Sequence, residues 1–426
     1  MSSTPWAGRR LHFIGVGGAG MSGLALVARA LGAQVTGSDR AESSYLGRLR
    51  EAGIEPAIGH DAAHLPEGAE VVVSTAIPDD NPELAAARER GASVLHRGDL
   101  LGQVTRLRRA IAVAGTHGKT TTASMAAHVL VETGHDPSYL IGGEVRSTGT
   151  NAAWGAGEWL VVEADESDRS FLKLAPEVAV VTNVELDHHT TFATLGELED
   201  AFERFKAAAR VVIAEIEEPE AELVPLGSRF SALGAQFELA VPGRHNVMNA
   251  LAAALACREA GVPPEESARA LRSFAGAGRR FEPHGDGPGG SLVYDDYAHH
   301  PTEVRATVDA ARTLGARRIV ACFQPHLYSR TERLAADFGR ALALADVAVV
   351  LDVYPARERA EDHPGVSGWL VATATADAAD GRPVYWAPRR EEAEALLRAE
   401  LREGDVLLTL GAGDVDALAH ALTTSP

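Results

Sequence analysis

Ala114-Gly115-Thr116-His117-Gly118-Lys119-Thr120-Thr121-Thr122 is the stretch around which the rest of the 426-residue chain can be ordered. An apolar segment, Ala110 to Val113, precedes it, and a helical pattern, Ala123 to Val131, follows it. A strand, a tight glycine-rich turn and a helix start present backbone N–H groups to a phosphate, because the first N–H groups of a helix have no partner within it. Lys119 adds a point charge for the outer phosphates, and the Thr120 hydroxyl can ligate Mg²⁺. The usual P-loop has a glycine five residues before the Gly of Gly-Lys; Val113 stands there, so the loop is a variant. An ordinary turn with a surface lysine would not need Gly-Lys-Thr in this strand–turn–helix setting. Gly115, Thr116, His117, Gly118, Lys119, Thr120 and Thr121 are therefore expected to cradle a nucleoside triphosphate.

The length fits two to four domains. Hydrophobic residues are 46% of the chain and charged residues 23%, as in a well-packed globular protein. A net charge of −19 excludes a nucleic-acid polyanion as the main partner, and an anionic ligand then requires local pockets of basic side chains and amides. Cys257 and Cys322 have no metal-ligand spacing and are expected to be packing residues in a reducing compartment. Met1 to Arg10 lacks an apolar signal core and no run has the length of a membrane span, which predicts a soluble, cytoplasmic protein that does not enter membranes.

Upstream, Leu11 to Ile14 reads as a buried strand running into Gly15-Val16-Gly17-Gly18-Ala19-Gly20. Met21, Leu24, Ala25 and Ala28 then recur at helical spacing, and a second strand, Gln34 to Ser38, ends at Asp39. This is the dinucleotide fingerprint with its acid about 20 residues on. Taken alone it points to NAD and a dehydrogenase. The physics it requires is narrower: a diphosphate at a helix N-terminus and a hydroxyl partner for Asp39, which a UDP-sugar also satisfies. Strands are predicted at Glu70 to Ser74 and Ser93 to Leu95, with a helix from Asn81 to Arg90 between them. The segment from Val104 to Arg109 is basic and unpatterned and is taken as a domain boundary.

Beyond the triphosphate loop, a strand Trp159 to Val162 runs into Glu163-Ala164-Asp165-Glu166-Ser167-Asp168, and Val178 to Val181 runs into Thr182 to His189. Acids and histidines just past strand C-termini lie where open α/β sheets place ligands. Mg²⁺ prefers oxygen ligands, so Glu163 is the stronger metal candidate and His188 the weaker. A helix (195–209), a strand (211–214) and an acidic, irregular stretch (215–222) follow. Two helices come next, one opening at Pro242-Gly243-Arg244-His245-Asn246 and one over 264–274, before a glycine-rich second boundary ahead of Arg279. The last third alternates strands and helices, which predicts a parallel sheet covered on both faces. Its polar clusters sit at strand ends: Asp295 to His300, Gln324-Pro325-His326 and Gly411 to Asp414. His299-His300 lacks a third ligand at metal-site spacing, so a positioning role is expected.

Two ligand loops in successive α/β domains resemble the Mur ligase family. The resemblance rests on Phe-Ile-Gly-Val-Gly-Gly-Ala-Gly-Met-Ser-Gly (13–23), Gly-Ser-Asp (37–39), Ser-Thr-Ala-Ile-Pro (74–78) and the loop at 114–122. It continues through Glu-Ala-Asp-Glu-Ser-Asp (163–168), Asp-His (187–188), Gly-Arg-His-Asn-Val (243–247) and Gly-Arg-Arg-Phe (278–281). Asp-Asp-Tyr-Ala-His-His-Pro-Thr-Glu (295–303), Phe-Gln-Pro-His (323–326), Ser-Arg-Thr (329–331) and Gly-Ala-Gly-Asp (411–414) complete it, nearly spanning the chain. It implies an α/β fold of three domains: a Rossmann-like UDP-sugar domain (1–106), a P-loop ATPase-like central domain (107–277) and a Rossmann-like C-terminal domain (278–426). The implied activity is that of the alanine-adding members: ATP and Mg²⁺ convert the carboxylate of UDP-N-acetylmuramate to an acyl phosphate, which L-alanine then attacks.

Carried over by the same resemblance, Gly15, Gly17, Gly18, Gly20, Asp39 and His60 hold the UDP-sugar. Thr120, Glu163 and His188 hold Mg²⁺ beside Lys119, while Asn246, Arg280 and Asp295 or Asp296 reach the nucleotide. His299, His326 and Arg330 stand near the amino acid and the reacting carboxylate. Attack needs a neutral amine, so a base is required, and His189 and His299 both qualify. Ligands from three domains imply closure around the site. The assembly is expected to be a monomer or a homodimer.

The chain departs from the family in places. Only about thirty residues separate Ile213 from Pro242, which predicts a trimmed central domain; His189-Thr190 replaces an apolar-Asp pair, and Leu327 stands where a basic residue is common. Lys206 is not in register with the functional lysine of other members. A sister ligase attaching a recycled peptide to the same sugar shares the architecture, although Gly17-Gly18-Ala19-Gly20-Met21-Ser22 resembles the alanine-adding form. A dehydrogenase would leave the triphosphate loop idle. A non-catalytic binding protein would leave the whole metal and phosphate set without a purpose.

Overall fold

The computed structural model describes residues 5–423. It divides into two compact units, Met1–Ile216 with Ala252–Ala270, and Glu217–Leu251 with Leu271–Pro426. The fold is α/β throughout, and three of its sheets carry the ligand rims predicted from sequence.

The first sheet is wholly parallel, in the order Ala57–Ile58, Gln34–Asp39, Arg10–Ile14, Glu70–Val73, Val94–His96. Chain order reverses on either side of Arg10–Ile14, so the crevice opens beyond its C-terminal end, where Gly15 to Gly20 lies. Helix Ala19–Ala30 buries Met21, Leu24, Ala25, Val27 and Ala28 between this sheet and the strands Ser138–Val145 and Thr150–Ala153. Burying a leucine such as Leu24 contributes about 2 kcal/mol, which locks the loop to the sheet below it.

In the second sheet Arg109–Ala114 is central, flanked by Val178–Val181 and Trp159–Glu163. Val211–Ile213 and Ser138–Val145 lie outside these, and Thr150–Ala153 is an antiparallel edge strand. The helix after the loop starts at Lys119, earlier than the Ala123 predicted, and runs to Glu132. A run of threonines has poor helix propensity, yet Gly118 at φ 81° turns the chain and Thr120, Thr121 and Thr122 are all buried. Packing decides here, not propensity.

Helix Arg97–Thr105, not expected from the sequence, runs into the first two residues of the boundary segment, Val104 and Thr105. Two glycines conceal this helix in the sequence. A Cβ at Gly98 would lie 2.5 Å from Ser170 Cβ, and one at Gly102 would lie 2.6 Å from Lys173 O. Close approach requires glycine at both places, at the expense of helix propensity.

The acidic stretch is irregular up to Glu220, and beyond it Ala221–Val224, Gly227–Ala232 and Ala235–Leu239 form an antiparallel sheet. Phe230 stacks on Phe237 at 4.9 Å within it. The sheet of the last third has the order Glu282–Asp286, Leu292–Asp296, Asp405–Leu410, Arg318–Phe323, Val347–Val350, Val384–Trp386. It is parallel except for Glu282–Asp286. Only the short turn 287–291 joins that strand to its neighbour, and a parallel crossover needs far more chain.

Candidate active site

The triphosphate loop is held open by the segment that follows Val178–Val181. Thr182 Oγ1 and Asn183 Nδ2 donate to His117 O at 2.5 and 3.0 Å, and Asn183 Oδ1 accepts from His117 N at 2.9 Å. Thr116 Oγ1 donates to Glu185 O and accepts from Glu185 N, both at 2.9 Å. His117 Nε2 lies 3.0 Å from the Glu185 carboxylate. Gly115 must be glycine, because a Cβ there would lie 2.0 Å from Thr182 Oγ1.

Lys119 does not extend past the loop. Its Nζ donates to Gly115 O at 2.6 Å and Thr116 O at 3.1 Å, and pairs with Glu166 at 3.0 Å. Burial works against the charge of this lysine, but Glu166, Asp165 and Glu163 together hold its pKa above the ordinary value. Glu166 is fully buried and also lies 3.3 Å from His188 Nε2. Sequence reading placed Glu166 in the acidic motif without this role; three residues beyond Glu163, it was in view as an acid but not as the lysine's partner.

Thr120 and Glu163 meet as predicted, with Thr120 Oγ1 donating to Glu163 Oε2 at 2.9 Å. The same oxygen accepts from Gly142 N at 2.8 Å. A hydroxyl and a carboxylate beside a phosphate loop are hard oxygen donors that fit Mg²⁺. His188, a non-glycine residue at φ 53°, turns its ring to Glu166, and Asp187 Oδ1 accepts from its backbone N at 2.7 Å. His189 is half-buried. Arg97, missed in the sequence, pairs with Asp165 at 2.7 Å and Asp168 at 3.0 Å. Burial pushes the Asp165 carboxyl up, but Arg97 and Lys119 outweigh it and hold it far below the usual range.

At the first loop, Gly15 N and Val16 N donate to Ser38 O at 2.8 and 3.0 Å. Asp39 Oδ2 accepts from Gly17 N at 2.8 Å, so this carboxylate sits against the loop's own amide. Gly18 caps helix Ala19–Ala30, and Gly20 lies in its first turn. His60 does not stand alone: its Nδ1 is 2.9 Å from Glu83 Oε1 and 3.1 Å from Ser38 Oγ. Glu83 also meets His12 at 2.6 Å. Burial would raise the Glu83 pKa, yet hydrogen bonds from His12, Ser38 and His60 keep it lowered. Nothing in the sequence distinguished Glu83 from any other acid in the first turn of a helix.

The second unit gathers His299, His326 and Arg330. His299 Nδ1 lies 2.9 Å from Tyr297 O and 3.3 Å from Glu303 Oε2, and both oxygens accept, so Nδ1 carries a proton. The rings of His299 and His326 meet edge to face at 6.1 Å. Arg330 is buried, with Nη1 3.3 Å from His326 Nδ1, and His326 stacks on Tyr354 at 5.8 Å. Arg280 lies over the Tyr297 ring, 3.8 Å from Glu303.

Two residues expected at the nucleotide, Asp295 and Asn246, also have partners within the fold. Asp295 is fully buried, accepts from Arg279 and Thr409 at 2.8 Å each, and so ties three segments of the fold together. Asn246 is buried, with Nδ2 donating to Pro242 O at 2.7 Å and Oδ1 accepting from Asn249. Both have turned inward to satisfy buried polar atoms. Asp296 accepts from Phe281 N and Ala298 N at 2.8 Å each, and burial pushes its carboxyl up to about 6.

Three family models match consecutive stretches: the Mur ligase catalytic domain over residues 10–109, the Mur ligase middle domain over 113–225, and the Mur ligase glutamate ligase domain over 279–413. The chain belongs to the Mur ligase family. It is similar to the UDP-N-acetylmuramate–L-alanine ligase of Rubrobacter xylanophilus, 45% identical over 97% of this chain and 99% of that one. It is 46% identical to the ligase of the same name from Streptomyces coelicolor, with 97% of each chain covered. Among solved structures, a UDP-N-acetylmuramate–alanine ligase from Thermotoga maritima has a TM-score of 0.83 at 29% identity, covering 97% of this chain and 98% of that one. A murein peptide ligase from Psychrobacter arcticus has a TM-score of 0.71 at 26% identity, with 98% of each covered.

Proposed function

We propose that this chain is an ATP-dependent ligase that joins L-alanine to the carboxylate of UDP-N-acetylmuramate through an acyl phosphate, in peptidoglycan precursor synthesis. One observation carries the reading: a phosphate loop whose lysine, hydroxyl and carboxylate are assembled, in a chain with a separate diphosphate loop and 45% identity to a named alanine ligase. Domain limits at 1–106, 107–277 and 278–426 belong to the same proposal, as does a cytoplasmic location. Among the described residues no helix is long and apolar enough to cross a membrane.

In this reading, Gly15, Gly17, Gly18, Gly20, Asp39 and His60 bind the UDP-sugar, and the 115–121 loop binds ATP. Lys119 exchanges two backbone carbonyls for phosphate oxygens when the nucleotide enters. Its charge then stabilises the transferring phosphoryl group, the main task of a protein in such a transfer. Thr120 and Glu163 would hold Mg²⁺, with His188 nearby; the ion supplies positive charge that offsets the charge of the phosphates. His299, with its Nδ1 proton directed to Tyr297 O, is assigned to take a proton from the amine through Nε2, with His189 the alternative base. His326 and Arg330 form a polar wall suited to a carboxylate.

A murein peptide ligase is the second reading, since a protein of that name shares the fold. Phosphate release measured with UDP-N-acetylmuramate and a panel of amino acids and short peptides separates the two. Turnover with L-alanine supports the proposal. Turnover with a peptide alone replaces it with the second reading, and no release with any acceptor refutes both.

A further inference from the structure

Below the diphosphate loop lies a buried polar chain of which the proposed function uses only His60. It runs from Thr36 through His12 and Glu83 to Ser38 and His60. Glu83 is 0% exposed, yet four contacts converge on its carboxylate. His12 Nε2 lies 2.6 Å away, His60 Nδ1 2.9 Å, and Ser38 Oγ 2.7 and 2.8 Å from its two oxygens. Asn81 Oδ1 caps the same helix by accepting from Glu83 N and Leu84 N at 3.0 and 3.2 Å. The carboxylate therefore sits in the first turn, where the helix dipole favours its charge.

An ionised carboxylate accepts and never donates. Every group touching it must therefore bring a hydrogen. Ser38 O–H, His12 Nε2–H and His60 Nδ1–H all point at Glu83. His12 Nδ1 in turn meets Thr36 Oγ1 at 2.8 Å. With its Nδ1 hydrogen on Glu83, the neutral form of the His60 ring carries its lone pair on Nε2. His60 remains partly exposed at 21% and follows strand Ala57–Ile58, at the C-terminal edge of the sheet. It also shares Ser38 with the loop, since Ser38 O accepts from Gly15 N and Val16 N.

We propose that Glu83 is a positioning residue that fixes the tautomer of His60, leaving Nε2 as a hydrogen-bond acceptor for the nucleotide-sugar. The group received is a donor on an otherwise anionic ligand, either a ribose hydroxyl or the imide N–H of the uracil ring. This rests on the reading that the first loop takes the UDP-sugar. Glu83 itself does not touch the ligand; it makes His60 the wrong partner for a bare phosphate oxygen and the right one for a donor. Selection of nucleoside over phosphate follows from the tautomer.

Nitrogen NMR of ¹⁵N-histidine-labelled protein, with His60 assigned from the His60→Phe variant, reads the tautomer without altering the site. A proton on Nδ1 is expected, and a proton on Nε2 overturns the proposal. Steady-state kinetics of Glu83→Gln, His60→Phe and the double variant supply the second test. Each single change should raise KM for UDP-N-acetylmuramate about tenfold, the usual effect of one hydrogen bond, with KM for ATP and L-alanine unmoved. The double variant should match His60→Phe, because Glu83 acts through that ring. Additive losses, or a KM for ATP that rises in parallel, would mean a general structural role and overturn it. Failure of the ligase reading would look different, since the wild-type protein would then release no phosphate with these substrates.

Discussion

Replacing Lys119 by methionine should separate stability from catalysis. The lysine is 13% exposed and Glu166 is 1% exposed, so the change removes one member of a buried pair. Losing one partner of such a pair costs about 3–5 kcal/mol when nothing else compensates. Here His188 remains 3.3 Å from Glu166, which places the expected loss near the low end, at about 3 kcal/mol. At about 2–4 °C per kcal/mol for a unit of this size, the melting step should fall by about 6–12 °C. Adding Glu166→Gln neutralises the stranded carboxylate, and the Lys119→Met, Glu166→Gln pair should recover at least half of that loss. Catalysis should not recover: phosphate release should stay depressed by 10²-fold or more in both variants, as when other transition-state donors are removed (about 10²–10³). Differential scanning calorimetry and a phosphate-release assay on the same preparations read the two effects. A double variant no more stable than the single one would refute the buried-pair argument. Near-normal turnover in Lys119→Met would refute the role given to the loop.

Glu163→Gln keeps the shape but removes the charge that a hard cation needs, so the Mg²⁺ concentration for half-maximal activity should rise sharply or activity should vanish; an unchanged Mg²⁺ dependence would point to Asp165 or Glu166 instead. Calorimetry should show binding of UDP-N-acetylmuramate and none of NADH, and tight NADH binding would revive the dehydrogenase reading. Asp296 has its carboxyl raised from 3.8 to about 6, so the folded state holds that proton more tightly than the unfolded chain. Its contribution is then fully present below pH 3.8 and is lost as pH rises through 6, a difference of about 3 kcal/mol. Urea titrations at pH 4 to 7 should show this slope in the wild type and a flatter curve in Asp296→Asn; parallel curves would refute it. Asp165 acts with the opposite sign: its lowered pKa gives stability above the ordinary carboxylate range that is lost as pH falls below it.

The parts of the site that were legible in the sequence are those that depend on local backbone. Gly115, Gly118, Lys119 and Thr120 work within one turn, so their spacing carried the information. Glu163 stood out because a buried strand ends on it. Glu166, Arg97 and Glu83 were not legible because their partners lie far away in sequence: Lys119 is 47 residues from Glu166, and Ser38 is 45 from Glu83. Asp295 was legible as an acid at a strand end, but its contacts with Arg279 and Thr409 were not, because those partners lie far along the chain or on another strand. Helix Arg97–Thr105 was hidden by Gly98 and Gly102, whose purpose is contact rather than propensity.

In the proposed ATP-binding role, the folded-back lysine gives the loop a discriminating character. With Nζ seated on Gly115 O, Thr116 O and Glu166, the cationic charge is quenched from inside and little of it reaches passing anions. A free phosphate would have to detach the lysine from all three with a single set of oxygens. A triphosphate brings several sets at once, along with a base and a ribose that bind elsewhere. The loop is thus a lock that opens to a multipoint key, and cellular inorganic phosphate is kept from idling in it.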